Sequence, residues 1–128
     1  MRVVLGILAF TVIVGASIPL AAHHSWTADY DGGKPVSVKG VVTKVEWTNP
    51  HTHFYIEEKG ENGTVTMWNF EMASTLALER AGWSRKTLQV GDQVTITGFG
   101  GRAATQRAIA QTITSADGKA LFSGKLGQ

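Results

Sequence analysis

The order of strand and helix signals constrains the fold of this chain most strongly. Runs rich in valine, isoleucine, threonine and aromatic residues, each bounded by glycine, proline or asparagine, are typical of strands. Five such runs occur, at residues 36–47, 51–58, 64–72, 93–99 and 107–114. A helical segment at 73–81 separates the third run from the fourth, with Ser74 or Thr75 as its N-cap and Gly82 closing its C-terminus. This order predicts an all-β fold (β-rich with one short helix), a small five-stranded OB-like barrel, with other one-helix β-barrels as alternatives.

The first strand and the first hairpin carry turn signals that set strand register. Gly40 lies inside the first run and predicts a β-bulge, and Pro50 ends that run because proline cannot continue a central ladder. Asn62-Gly63 predicts a tight hairpin between the second and third runs. With a loop of two or four residues, the residue numbers of any two paired residues in this hairpin add up to an odd number. The loop length therefore decides which side chains share a face.

The amino-terminal segment predicts export. Residues 1–22 combine a basic start, an apolar run and small residues at the end, which is typical of a signal peptide cleaved after Ala22. An uncleaved membrane anchor is the alternative. Residues 23–35 are predicted to form an arm with a bend at Asp31-Gly32-Gly33, residues 36–115 the domain, and residues 116–128 a hairpin or tail. The expected location is the periplasm or the extracellular space, with no membrane contact after cleavage.

Composition excludes several classes of protein. The chain has no cysteine, so disulfides and thiolate metal sites are excluded and an ordinary apolar core must stabilise the domain. The formal net charge is +2, which gives no support to nucleic-acid binding. No serine lies in a nucleophile motif and no carboxylate pair shows an acid and base role, so the sequence predicts no enzyme.

All four histidines fall in two tight pairs, which raises a metal site as a hypothesis. His51 and His53 alternate along a strand and therefore point to one face. Under the odd-sum register that face also carries Met72, whose thioether beside two imidazoles would suit copper, particularly Cu(I). The alternatives are that Met72 fills the core and that the histidines are only solvated or hydrogen bonded.

The first pair, His23 and His24, follows the predicted cleavage site. Cleavage after Ala22 leaves the α-amine and both imidazoles available to one Cu(II) ion, a nitrogen-rich set that copper favours. Cleavage one residue earlier places a histidine third from the terminus, which also makes a nitrogen site for copper or nickel. A hydrated terminus without physiological metal is the alternative.

The chain resembles a family of small uncharacterised secreted bacterial proteins. The resemblance rests on three stretches: Ala22-His23-His24-Ser25, residues 45–51 with Trp47-Thr48-Asn49-Pro50-His51, and Gly82-Trp83 followed by Leu88 and Gly91-Asp92-Gln93-Val94-Thr95. It implies secretion and one compact β domain. That family has no settled activity, so the resemblance carries over no catalytic residue.

These observations predict a periplasmic domain that binds a transition metal, copper ahead of zinc or nickel, for carriage or buffering. The predicted ligands are His51, His53 and Met72, with His23 or His24 brought over from the arm. The alternative is a metal-free binding or accessory module whose aromatic face takes a small molecule, a glycan or a protein partner. That face would consist of Trp47, Tyr55, Trp68 and Phe70. A copper oxygenase is a third and weaker hypothesis, because so small a domain offers little surface for a substrate.

Overall fold

The computed structural model describes residues 26–124. The predicted signal peptide at 1–22, together with His23 and His24, lies outside this range. The described chain contains six strands and two short helices. In chain order these elements are α1 (Trp26–Asp29), β1 (Tyr30–Glu46), β2 (His53–Lys59), β3 (Val65–Glu71), α2 (Thr75–Arg80), β4 (Gln93–Gly101), β5 (Arg107–Ser115) and β6 (Ala120–Ser123). Neither described helix is long and apolar enough to cross a membrane.

The strands form one sheet in the order β3-β2-β1-β4-β5-β6. Neighbours in this order are antiparallel, and β3 also pairs with β5 in parallel over Asn69–Glu71 and Arg107–Ile109. The sheet therefore returns on itself between its third and fifth strands. This order confirms the predicted β-rich, OB-like fold, with β6 as an additional strand that pairs with β5.

Strand β1 is longer than the sequence predicts. It begins at Tyr30 instead of Val36, so residues 30–35 of the predicted arm belong to the sheet. Tyr30 pairs with Gly101 and Pro35 with Phe99, and an irregularity in the register between these pairs accommodates Asp31-Gly32-Gly33. Residues 31–34 lie opposite one residue of β4, and the side chain of Asp31 accepts from the backbone N–H of Gly33 at 2.9 Å, so the chain bends locally within this strand.

The hairpin of β2 and β3 has a register that the sequence did not predict. Lys59 pairs with Val65 and His53 with Glu71, so the loop contains five residues, 60–64, and paired positions have even sums. Asn62 accepts a hydrogen bond from the backbone of Thr64 instead of occupying a two-residue turn. The odd-sum prediction is wrong, and every side chain of β3 lies on the opposite face from the one expected.

The core lies between the sheet and α2. It is formed by the inward side chains of all five long strands with the helix and the segment after it: Val38, Val42, Phe54, Ile56, Phe70, Met72, Leu78, Trp83, Leu88, Val94, Ile96, Ala108, Ala110 and Ile113. Helix α2 has the predicted caps, since Ser74 Oγ accepts from the backbone of Ala77 and Gly82 has φ +90°. Trp83 then closes this side of the core by donating from its indole to the carbonyl of Leu121 at 3.0 Å.

Candidate functional site

The strand register places three ionisable side chains in one row on the outer face of the sheet. His53 on β2 lies between Glu46 on β1 and Glu71 on β3, because it pairs with both. Directly paired residues project to the same face, with Cβ atoms about 5 Å apart. The neighbouring row contains Tyr55 and Asn69. This face therefore carries one imidazole between two carboxylates.

Glu71 is the centre of a group of polar contacts and is only 5% exposed. Its Oε2 atom accepts from Arg107 Nη2 at 2.7 Å and from the hydroxyl of Tyr30, and Oε1 contacts Nδ1 of His51. Burial alone raises the pKa of the Glu71 carboxyl, but hydrogen bonds from Tyr30 and Arg107, together with the electrostatic attraction of His51 and Arg107, outweigh burial and lower the net pKa. The site therefore contains a largely buried, ionised carboxylate.

Tyr30 belongs to the same group and is 1% exposed. Burial first, and then the hydrogen bond to Glu71, raise the pKa of the Tyr30 phenol well above its ordinary value. The guanidinium of Arg107 also lies over the Tyr30 ring, 5.4 Å from its centroid. Three strands are thus joined at one point by side chains that are far apart in the sequence.

The loop before β2 presents His51 to Glu71. Asn49 anchors this loop to α2, because its Oδ1 atom accepts from both the backbone N–H and the hydroxyl of Thr75, at 3.2 and 3.0 Å. The Asn49-Pro50 peptide bond is cis. After the loop, Thr52 exchanges backbone hydrogen bonds with Met72 and Ala73. Hydrogen bonds therefore hold both ends of the Trp47-Thr48-Asn49-Pro50-His51 motif, and the side chain of His51 lies half-exposed beside a buried carboxylate.

His53 is held by a different acceptor on the same face. Its Nδ1 atom lies 2.9 Å from Oδ1 of Asn69. An amide oxygen can only accept, and so can an ionised carboxylate, so both His53 and His51 carry hydrogen on Nδ1. In the neutral form of each ring the lone pair is then on Nε2. The two histidines share one tautomer, with Nε2 of each ring on the side away from its protein partner.

Met72 does not belong to this group. It is 3% exposed and packs in the core with Phe54 and Ile56, on the opposite face from His53. The prediction that Met72 shares a face with the histidines is wrong, because it assumed an even loop length where the loop has five residues. The structure thus does not bring the Met72 thioether to the face that carries the His53 imidazole.

The four aromatic residues of the alternative hypothesis do not form one surface. Phe70 is fully buried, and Trp68, whose ring centroid is 6.0 Å from that of Phe70, lies on the same inner side. Tyr55 lies on the outer face, where Lys44 stacks over its ring at 5.0 Å. Trp47 is half-buried against the core. The same register error explains this difference, and the structure gives the aromatic module no continuous face.

The described part of the arm lies close to the polar group around Glu71. Trp26, the first described residue, stacks on Phe99 with centroids 5.5 Å apart, and Arg102 donates to the carbonyl of Thr27 at 2.9 Å. Tyr30, which binds Glu71, follows this short helix directly. Helix α1 therefore lies at the end of the sheet that carries Glu71.

Within residues 26–124 no three side chains among histidine, cysteine, aspartate and glutamate are arranged to hold a metal ion. The described residues contain two histidines, His51 and His53, each with its Nδ1 atom beside a side-chain oxygen. The sequence analysis missed Tyr30, Glu71 and Arg107. A charged residue between Phe70 and Met72, in a run otherwise suited to a strand, was the available signal for Glu71.

Comparison with solved structures identifies similar folds at low identity. Crystal structures of the mitochondrial single-stranded DNA binding protein Rim1 of S. cerevisiae, in two crystal forms, are 13% and 14% identical, each with a TM-score of 0.49. These matches cover 71% and 72% of this chain, and 96% and 97% of Rim1. No curated protein matches the sequence. The model of a protein family matches residues 11–110, which is most of the chain.

Proposed function

The chain belongs to DUF6152, a family of unknown function, and we propose that it is an exported, periplasmic domain that binds a transition metal, with copper as the preferred ion. Nε2 of His51 and Nε2 of His53 are the proposed ligands, completed by His23 and His24. The proposed role is carriage or buffering of the metal. The observation that carries this proposal is the shared tautomer: each Nδ1 atom is bonded to a side-chain oxygen on one face of the sheet.

The hydrogen bonds at Nδ1 support metal binding because metal-ligating histidines usually donate their other N–H to a carboxylate or carbonyl oxygen. Such a bond fixes the ring orientation and makes Nε2 a better ligand. Glu71 would serve His51 in this way, and Asn69 would serve His53. Arg107 and Tyr30 hold Glu71 in turn, so the orientation of His51 is fixed through two layers of contacts.

The donor set favours copper in its oxidised form. Without Met72 the proposed ligands are all nitrogen, and for nitrogen sites Cu(II) lies at the top of the affinity order for divalent first-row metals. Cu(II) also prefers a tetragonal arrangement of ligands. Two imidazoles on one face supply only part of that arrangement, so the proposal needs further nitrogen ligands. Cleavage after Ala22 would add an α-amine and the imidazoles of His23 and His24.

The attachment of α1 supports the participation of the first histidine pair. Only Ser25 separates His24 from Trp26 along the chain, which is a reach of about 7 Å between Cα atoms. Trp26 begins the helix that leads to Tyr30, and Tyr30 contacts the same carboxylate as His51. A path this short would allow His24 to reach the end of the domain that carries His51.

Competitive titration of Cu(II) against a chelator of known affinity tests the proposal. The protein is purified from periplasm with its native terminus, and intact mass establishes whether it begins at His23. We expect the His51→Ala, His53→Ala double variant to bind Cu(II) at least tenfold more weakly, since two ligands are lost. An Asn62→Ala variant, altered in the β2–β3 loop, is the control. Equal affinity in the double variant and the wild type would overturn the proposal and favour a metal-free binding module.

A further inference from the structure

The first part of β3 forms an open edge of the sheet. One edge of β3 pairs with β2 along its whole length. The opposite edge pairs with β5 only at Asn69–Glu71. The backbone N–H of Asn69 donates to the carbonyl of Gln106, away from β2. Because these groups alternate along an antiparallel strand, the backbone groups of Val65 and Met67 also point away from β2. No described strand pairs with them.

The same two residues expose apolar side chains. Val65 is 52% exposed and Met67 is 43% exposed, and both project to the outer face. Open edges are usually protected by lysine, proline or a bulge. From Asn62 to Asn69 the chain has no charged residue and no proline, and the β2–β3 register has no irregularity. This edge therefore has the properties of a pairing surface.

We propose that the edge of β3 pairs with the same edge of a second copy of this chain, in antiparallel orientation about a two-fold axis at Thr66. Val65 then pairs with Met67 of the second copy, and the reciprocal pair forms on the other side of the axis. These are the residues with free backbone groups, so both pairs can exchange hydrogen bonds. A two-fold interface of this kind uses one self-complementary surface on each copy.

The charges beside the edge are complementary under this register. Met67 pairs with Glu57 on β2, and Val65 pairs with Lys59. Each of the two outer rows across the two-fold axis therefore begins with Glu57 of one copy and ends with Lys59 of the other, with the two apolar residues between them. The middle row, on the inner face, ends in Glu58 of both copies, and each Glu58 accepts a hydrogen bond from the indole of its own Trp68 at 2.9 Å. The opposite charges in the two outer rows favour a second copy over an unrelated strand.

The contact is short, so the dimer is expected to be weak and to depend on concentration. Sedimentation equilibrium of the mature protein, in the presence of a chelator, should show a mass that rises from monomer towards dimer with loading concentration. Met67→Lys places an additional cation in the row that ends at Lys59 and should abolish dimerisation. Val65→Pro should do the same by removing an N–H that β2 does not use. Leu76→Lys is the control, because Leu76 is 53% exposed on α2 and away from this edge.

A cross-link tests the register. Thr66 would face Thr66 of the second copy as a non-hydrogen-bonded pair, with Cα atoms about 4.5 Å apart, which a disulfide can span. The chain has no cysteine, so Thr66→Cys should give one covalent dimer under mild oxidation, and exposed Thr43→Cys should not. A monomer at every concentration, or a dimer unchanged by both edge variants, would overturn the proposal. The dimer test is run with a chelator present and is repeated in the His51→Ala, His53→Ala variant. Its result therefore does not depend on metal binding and is distinct from the result of the metal test.

Discussion

The hydroxyl of Tyr30, at the start of β1, donates to the carboxylate of Glu71, at the end of β3, across 41 positions of sequence. Both residues are almost completely buried. Arg107, at the start of β5, binds the same carboxylate oxygen. The contact joins the first, third and fifth strands at the end of the sheet where the histidine pair lies.

The first prediction concerns stability at high pH. The raised pKa of Tyr30 means that the folded protein keeps its phenol protonated after the unfolded chain has lost that proton. The stabilisation is complete below the ordinary tyrosine pKa of about 10 and declines as pH rises beyond it, by about 1.4 kcal/mol per pH unit. Urea unfolding between pH 9 and about 12 should show this slope, and Tyr30→Phe should remove it. Tyr55→Phe alters the other tyrosine and is the control; an equal change of slope in both variants would contradict the assignment.

The second prediction concerns the ion pair of Glu71 and Arg107. Arg107→Met leaves a buried carboxylate without its cation and should lower the free energy of unfolding by about 2 kcal/mol, a value reduced by the partial exposure of Arg107. The double variant Arg107→Met, Glu71→Gln should lose less free energy of unfolding than the sum of the losses in the two single variants, because the partners are coupled. Lys44→Met, which breaks an exposed pair with Glu46, should have little effect. Additive costs would show that the two groups act independently.

The third prediction concerns the close approach of β4 and β5. A Cβ atom at Gly98 would overlap the carbonyl oxygen of Ile109, a backbone atom that cannot rotate away. Gly98→Ala should therefore lower the free energy of unfolding by about 3 kcal/mol or more. Two residues further on, a Cβ at Gly100 would meet nothing closer than 3.6 Å, so Gly100→Ala is a matched control with little expected cost. Thermal unfolding followed by circular dichroism compares the two variants.

The fourth prediction concerns the hydrogen bond that orients His53. Asn69→Ala removes the acceptor at Nδ1, and loss of such a partner typically weakens metal binding about tenfold or more. We expect a lower Cu(II) affinity with unchanged stoichiometry, measured by chelator competition. Asn69→Asp restores an acceptor and should recover the affinity. Failure of the aspartate variant to recover it would indicate that Asn69 acts through packing instead.

The sequence predicted the elements of this fold better than their register. Strand propensity and the capping residues Ser74 and Gly82 are local signals, and they located β2 to β5 and α2 within a few residues. The five-residue loop was not predictable from Asn62-Gly63, since the Asn62 side chain bonds locally to Thr64 instead of forming a tight turn. That one difference reversed the faces of Trp68, Phe70 and Met72.

The polar group around Glu71 could not be predicted from the sequence, for a different reason. Tyr30, Glu71 and Arg107 meet only because β3 pairs with β5 and because β1 extends six residues before the predicted start of its strand. Such contacts depend on topology and carry no fixed spacing in the sequence. The histidine pair, in contrast, was visible as a motif, and the structure added the acceptors that define its tautomer.

The double pairing of β1 has a consequence for hydrogen exchange. Val41 lies where the partner of β1 changes, since residues before it pair with β4 and residues after it pair with β2. Detaching β1 would therefore break both halves of the sheet together, whereas the β2–β3 hairpin could open while β1, β4 and β5 stay paired. The paired amides of β1 next to β4 should exchange with solvent only when the whole domain unfolds, and those in the β2–β3 loop should exchange much sooner.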